Sequence, residues 1–294
     1  MKIERIFVVG SGLMGGGITQ VSAQSGYKVI MHDVKQEFCD KGLEAIKFSL
    51  GKFLQKEKIS QDHHDAALTN ITTTTSLEDA KDADLVVEAV FEKLDVKKEV
   101  FGKLDEICPA DTLLATNTSA IPISNIAGAT KRPDKVVGTH FFSPVPLMRL
   151  CEIITGVQTS DETIAAAKAW AESLGKTTVL VQKDHAGFIA NRLALPMVLE
   201  AIRMLESGVA SPEDIDNALR FGYNHPMGPL ELADFTGVDI LQNASMAIYN
   251  DTRDEKFFPP PLMQRMVESG LCGRKTKKGF YDYASGKKEN YWKM

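Results

Sequence analysis

The chain has 294 residues, 44% hydrophobic and 25% charged, with a net charge of −5; this is room for two domains with substantial cores. The mild acidic balance has no basic stripe, which argues against nucleic acid as the main partner, and the short cluster Arg274, Lys275, Lys277 and Lys278 reads as a solvated face. No apolar run reaches membrane-spanning length, and Cys39, Cys108, Cys151 and Cys272 show no metal-ligand spacing, so free thiols, no metal, no membrane and a cytoplasmic location are expected, with the first strand starting too early for a leader segment.

Residues 3–9 read as a buried strand that runs directly into glycine. Gly10-Ser11-Gly12-Leu13-Met14-Gly15 then fits G-x-G-x-x-G between this strand and a helix that ends near Gly26. In that pattern the first glycine makes a tight turn, the second lets backbone amides approach a pyrophosphate, and the third lets helix and strand pack closely. The helix N-terminus then faces the phosphates with its unpaired N–H groups. A second strand, 28–31, leads to Asp33, eighteen residues beyond Gly15, near where an acid meets the adenosine ribose. A carboxylate there accepts hydrogen bonds from a ribose diol and repels a 2′-phosphate, so the expected cofactor is NAD rather than NADP.

Two helices follow, 35–58 and about 61–69, an insertion spanning about 35–70. Ser49 and Lys56 are seven residues apart, two helical turns, and so share a face. Strands at 85–90 and 112–116 flank a helix at 94–107. Glu92 and Lys97, at the start of that helix, read as solvated charges, and Ser119 as a helix N-cap before Ile121. Strands at 136–140 and 150–155 precede a helix at 161–174 and a strand at 177–181. His140 stands at a strand end, where α/β sheets bind ligands, and Glu152 follows near the start of the next strand.

Beyond about residue 185 the pattern turns helical, with helices at 188–206, 212–221, 230–249 and 262–269 and strand-like alternation only at 279–283. Pro196 lies inside the first of these and predicts a kink; Asn191, in the same helix, is a mediocre helix former with a polar job. The expected architecture is a Rossmann-type α/β domain with a mostly parallel sheet over residues 1–184, then an all-helical domain over 185–294. The helical domain carries more apolar positions than one face needs, which points to a partner.

Six stretches occur in order: VVEAVFEKLDVKKEVF (86–101), LLATNTSAIPIS (113–124), GTHFFSPVPLMRLCEII (138–154), DHAGFIANRL (184–193), HPMGPLELAD (225–234) and GRKTKKGFYDY (273–283). Together they resemble the short-chain L-3-hydroxyacyl-CoA dehydrogenases, and among them the bacterial 3-hydroxybutyryl-CoA dehydrogenases, over nearly the whole chain. The resemblance implies a dyad of His140 as acid/base and Glu152 behind it. It implies Ser119 on the substrate's 3-oxygen beside the nicotinamide, and Asn191 placing the substrate, so that both domains complete the site. It further implies Glu92 and Lys97 near the nicotinamide half of NAD, Ser49 and Lys56 on CoA, and a homodimer through the helical domain. Two positions depart from the family pattern: Ser143 stands for asparagine beside the nicotinamide, and Ala186 for proline, which loosens the start of a helix. The expected reaction is reversible interconversion of a short (3S)-3-hydroxyacyl-CoA and its 3-oxoacyl-CoA. The alternatives are a dehydrogenase of a free 3-hydroxy acid such as a sugar acid, told apart by whether activity needs CoA, and a non-catalytic dinucleotide sensor, which would need only the glycine loop and Asp33.

Overall fold

The computed structural model describes residues 2–292. It divides into two compact units, Met1–Asp184 and His185–Met294.

The first unit opens with β1 (Arg5–Val9), α1 (Leu13–Gln24), β2 (Lys28–His32), α2 (Gln36–Gln55), α3 (Gln61–Thr69) and β3 (Ile71–Thr74). It continues with β4 (Leu85–Glu88), α4 (Leu94–Ile107), β5 (Leu113–Thr116), the short α5 (Ile123–Ala127) and β6 (Val136–Phe141). It closes with β7 (Leu150–Ile154), α6 (Asp161–Ser173) and β8 (Thr177–Val181). Among the described residues these strands form one eight-stranded sheet in the order β3-β2-β1-β4-β5-β6-β7-β8. The central strands β4, β5 and β6 are buried at every position, because helices cover both faces of a parallel sheet and leave no polar side.

Two features differ from expectation, the edge strand β3 and the end of α2, while β7 makes the sheet mostly rather than wholly parallel, as expected. The edge strand β3 is absent from the sequence reading, because its run Ile-Thr-Thr-Thr has one apolar residue and no alternation. β7 runs antiparallel to β6. The link between them, residues 142–149, holds no helix and is too short for the crossover that parallel neighbours need. Helix α2 stops at Gln55, so Lys56 is its C-cap rather than an interior position.

The second unit holds α7 (Ala190–Glu206), α8 (Pro212–Gly222), α9 (Pro229–Thr236), α10 (Val238–Thr252) and α11 (Pro261–Glu268). α7 runs through Pro196 without interruption. The helix expected over 230–249 is two, α9 and α10, divided at Gly237, whose φ of +107° breaks helical geometry. The stretch 279–283 makes isolated bridges, Lys278 with Asp282 and Asp282 with Glu289, rather than a strand. What fixes it is the buried Asp234 carboxylate, which accepts from the amides of Phe280 (2.8 Å) and Tyr281 (2.9 Å) and the hydroxyl of Tyr283 (3.1 Å). Leu199, Ile202, Leu230, Met263, Phe280 and Tyr281 pack into this unit's core.

The four cysteines are buried thiols without disulfides. Among the described residues no helix is long and apolar enough to cross a membrane, and no group of His, Cys, Asp and Glu is placed to hold a metal.

Candidate active site

The glycine loop is built from two kinds of constraint. Gly10 adopts φ +104° and donates its amide to the His32 carbonyl at 2.8 Å, tying the ends of β1 and β2. A Cβ on Gly15 would lie 1.8 Å from the Gly10 carbonyl oxygen, so only glycine lets α1 sit this close to the turn. Gly12 is different. It has an ordinary negative φ of −68°, it is the N-cap of α1, and a Cβ there would meet nothing within 4 Å. The protein's own fold does not need glycine at this position. Open space above an N-terminus whose first turn carries no acid is a cradle for a diphosphate. Leu13, beside it, is 75% exposed, while Met14 packs against the core.

Asp33 is already aimed. One carboxylate oxygen accepts from the Ser11 amide (2.9 Å) and hydroxyl (2.8 Å), and the other from the Val34 amide (2.8 Å). Oδ1, which accepts only the Val34 amide, keeps lone-pair capacity for a ribose hydroxyl, while the two Ser11 donors occupy Oδ2. Ser11 thus cross-links the glycine loop to the acid that follows β2. The sequence carries no signal for this, because Ser11 occupies a variable position of the motif.

Lys97 is not a solvated charge, and Glu92, though partly exposed, is tied to the loop after β5. Lys97 is 1% exposed, and its ammonium donates to both oxygens of the fully buried Glu88 (2.7 and 3.0 Å) while standing 3.3 Å from Glu92. One oxygen of Glu92 accepts from the Thr118 hydroxyl (2.5 Å) and the amides of Ser119 (2.8 Å) and Ala120 (3.1 Å). Burial pushes the Glu92 pKa up, but the Lys97 charge and these donors outweigh it and hold the group below the ordinary carboxylate value. Ser119 therefore sits on a loop pinned from beneath. Ser119 caps no helix, because α5 begins at Ile123 with Pro122 as its N-cap; the Thr118 hydroxyl instead accepts from the Ile121 amide at 3.0 Å and closes a turn.

His140 and Glu152 are directly opposite each other across the β6–β7 ladder. The register puts both side chains on one face, and His140 Nδ1 lies 2.7 Å from Glu152 Oε2. Both residues are buried, and the imidazole packs against Phe142 with ring centroids 4.5 Å apart. An ionised Glu152 accepts the Nδ1 proton, so the tautomer places the exchangeable lone pair on Nε2. The strand carrying His140 is held from the neighbouring strand end, where the Asn117 side-chain carbonyl accepts from the Phe141 amide at 2.9 Å.

The other expected residues stand further out. Ser143 is exposed on the loop after β6, Ser49 is half-buried on α2, and Lys56 is exposed at its end. Asn191 is in the second unit, in the first turn of α7, not in a helix interior. Ala186 does not open a helix either: its amide donates to Asp251 at 3.1 Å, a bond that proline cannot make.

The family model for the NAD binding domain of 3-hydroxyacyl-CoA dehydrogenase matches residues 5–185, and that for its C-terminal domain matches residues 187–283. The chain belongs to the 3-hydroxyacyl-CoA dehydrogenase family. It is therefore an NAD-dependent oxidoreductase, and the cradle at Gly12 and the poised Asp33 fit that cofactor. A probable 3-hydroxybutyryl-CoA dehydrogenase of Deinococcus radiodurans is 48% identical over 94% of this chain and 99% of its own. A 3-hydroxybutyryl-CoA dehydrogenase of Clostridioides difficile is 44% identical over 95% of this chain and 99% of its own. The crystal structure of the (S)-3-hydroxybutyryl-CoA dehydrogenase of Ralstonia eutropha superposes with a TM-score of 0.93 at 41% identity, covering 96% of this chain and all of the other. In this dehydrogenase the sequence reading missed Ser11, Glu88, Asn117 and Thr118. Each acts through a partner distant in sequence, and none stands out by residue type.

Proposed function

We propose that the protein interconverts (3S)-3-hydroxybutyryl-CoA and acetoacetyl-CoA. The observation that carries this is the His140–Glu152 pair, held in register at the end of the strand next to the Ser119 loop. Oxidising a secondary alcohol requires removal of the hydroxyl proton as hydride departs, and NAD, when bound, supplies the hydride acceptor. His140 Nε2 takes that proton, and the Glu152 carboxylate stabilises the imidazolium that results. In the reducing direction His140 returns the proton to the 3-oxygen. The Ser119 hydroxyl hydrogen-bonds that oxygen and stabilises the charge developing on it; Asn191 is the second unit's substrate-placing residue. Gly10, Gly12 and Gly15 with Leu13 and Met14 form the diphosphate turn, and Asp33 takes the ribose. Ser143 and Glu92 stand on the nicotinamide side, with Lys97 acting by holding Glu92. Ser49 and Lys56 contact CoA, with Lys56 pairing with its phosphates.

The test follows NADH absorbance after adding acetoacetyl-CoA or free acetoacetate. Turnover with the thioester alone is expected, and equal turnover of the free acid would overturn the CoA assignment. Run with NADPH in place of NADH, kcat/KM should fall by roughly tenfold or more, because Asp33 meets the extra phosphate at close range. Equal use of both cofactors would remove Asp33 from the selecting role.

We further propose that the protein is a cytoplasmic homodimer, a location that fits its unpaired thiols. The second unit exposes Leu193 (73%), Phe221 (77%), Tyr223 (78%) and Phe235 (52%), large apolar side chains that a second copy would cover. Light scattering should give twice the chain mass, and a monomer at working concentration would refute the dimer.

A further inference from the structure

Glu88 is fully buried at the C-terminal end of β4, and its carboxylate gathers an unusual number of donors. Lys97 Nζ donates to both oxygens, the Val90 amide donates at 2.7 Å, and the Thr116 hydroxyl donates at 2.7 Å. Two routes lead from this one group to the loop carrying Ser119. Thr116 Oγ1, fixed by Glu88, accepts from the Thr118 amide at 3.3 Å. Lys97, also fixed by Glu88, holds Glu92 from below, and Glu92 accepts from the Ser119 and Ala120 amides. The Glu88 main-chain carbonyl adds a third tie, accepting from the Asn117 amide at 2.8 Å.

A buried carboxylate–ammonium pair is a poor source of stability. Desolvating both charges offsets most of their attraction, and apolar side chains of similar volume commonly serve the fold as well. What apolar side chains cannot do is orient Glu92 toward three donors of one loop. We propose that Glu88 is a positioning residue for Ser119, acting through Lys97 and Glu92 to set the height and direction of the loop that presents the Ser119 hydroxyl. This inference rests on the reading of Ser119 as the group that meets the substrate's 3-oxygen.

The test is a cycle of Glu88→Gln, Ser119→Ala and the double variant, with amide hydrogen exchange read on the protein without ligands. Glu88→Gln should lower kcat by about tenfold and speed exchange of the Ser119 and Ala120 amides. In the Ser119→Ala background the same substitution should change kcat by less than about twofold. Losses that multiply in the double variant, or loop amides as protected as in wild type, would overturn the positioning role. Unchanged kcat in Ser119→Ala alone would instead overturn the reading of Ser119. If Glu88→Gln fails to fold, Glu88→Met with Lys97→Met removes both charges while keeping volume. This pair should fold and still show fast exchange at Ser119 and Ala120 with lowered kcat, and wild-type values for both would overturn the proposal.

Discussion

His140→Gln should lower kcat by roughly 10²–10⁴-fold, the range that a positioned acid/base contributes, while NADH binding stays within about twofold of wild type. Glutamine can still donate a hydrogen bond toward Glu152, so the buried carboxylate keeps a partner and the strand pair keeps its register. What glutamine lacks is a ring nitrogen that can take up and release a proton. Fluorescence titration with NADH, beside steady-state rates with acetoacetyl-CoA, separates the two effects. Near-normal kcat would take His140 out of the reaction, and a parallel collapse of NADH binding would show that the pair serves the fold first.

Gly12→Ala should leave the thermal midpoint within a few degrees of wild type yet weaken NADH binding by at least about tenfold. The added methyl meets no protein atom within 4 Å, and the backbone there has negative φ. The cost to the fold is therefore small, and the methyl occupies the space a diphosphate needs against the helix N-terminus. Gly15→Ala is the contrasting variant: its methyl would lie 1.8 Å from the Gly10 carbonyl oxygen, so it should lower the thermal midpoint as well. Unchanged NADH affinity in Gly12→Ala would place the diphosphate elsewhere. A large loss of stability in the same variant would make Gly12 a folding residue rather than a binding one.

The two glycines show where sequence and structure divide the work. That a strand, a glycine turn and a helix succeed one another at the N-terminus is local information, carried by apolar runs and by residues with unusual backbone freedom. So are Asp33 after the second strand, most helix positions, and the change of pattern near residue 184. His140 stands out at a strand end, and its association with Glu152 comes from ordered motifs that resemble a family. Sequence by itself therefore determined the architecture and named the two residues that the structure pairs.

Tertiary structure decided how these residues act. The pairing of His140 with Glu152 depends on an antiparallel register between β6 and β7, and a one-residue slip would turn one side chain to the opposite face. Lys97 looks like any surface lysine of an amphipathic helix until α4 packs it over Glu88. Ser11 looks like filler until β1 and β2 bring it against Asp33. β3 has no apolar pattern of its own and exists because β2 offers it a ladder of hydrogen-bonding groups. In each case the deciding contact joins residues far apart in the chain or a group whose burial no local pattern encodes. Periodicity reports which face of an element is apolar; it does not report which charged or polar group will be carried inside, or what will meet it there.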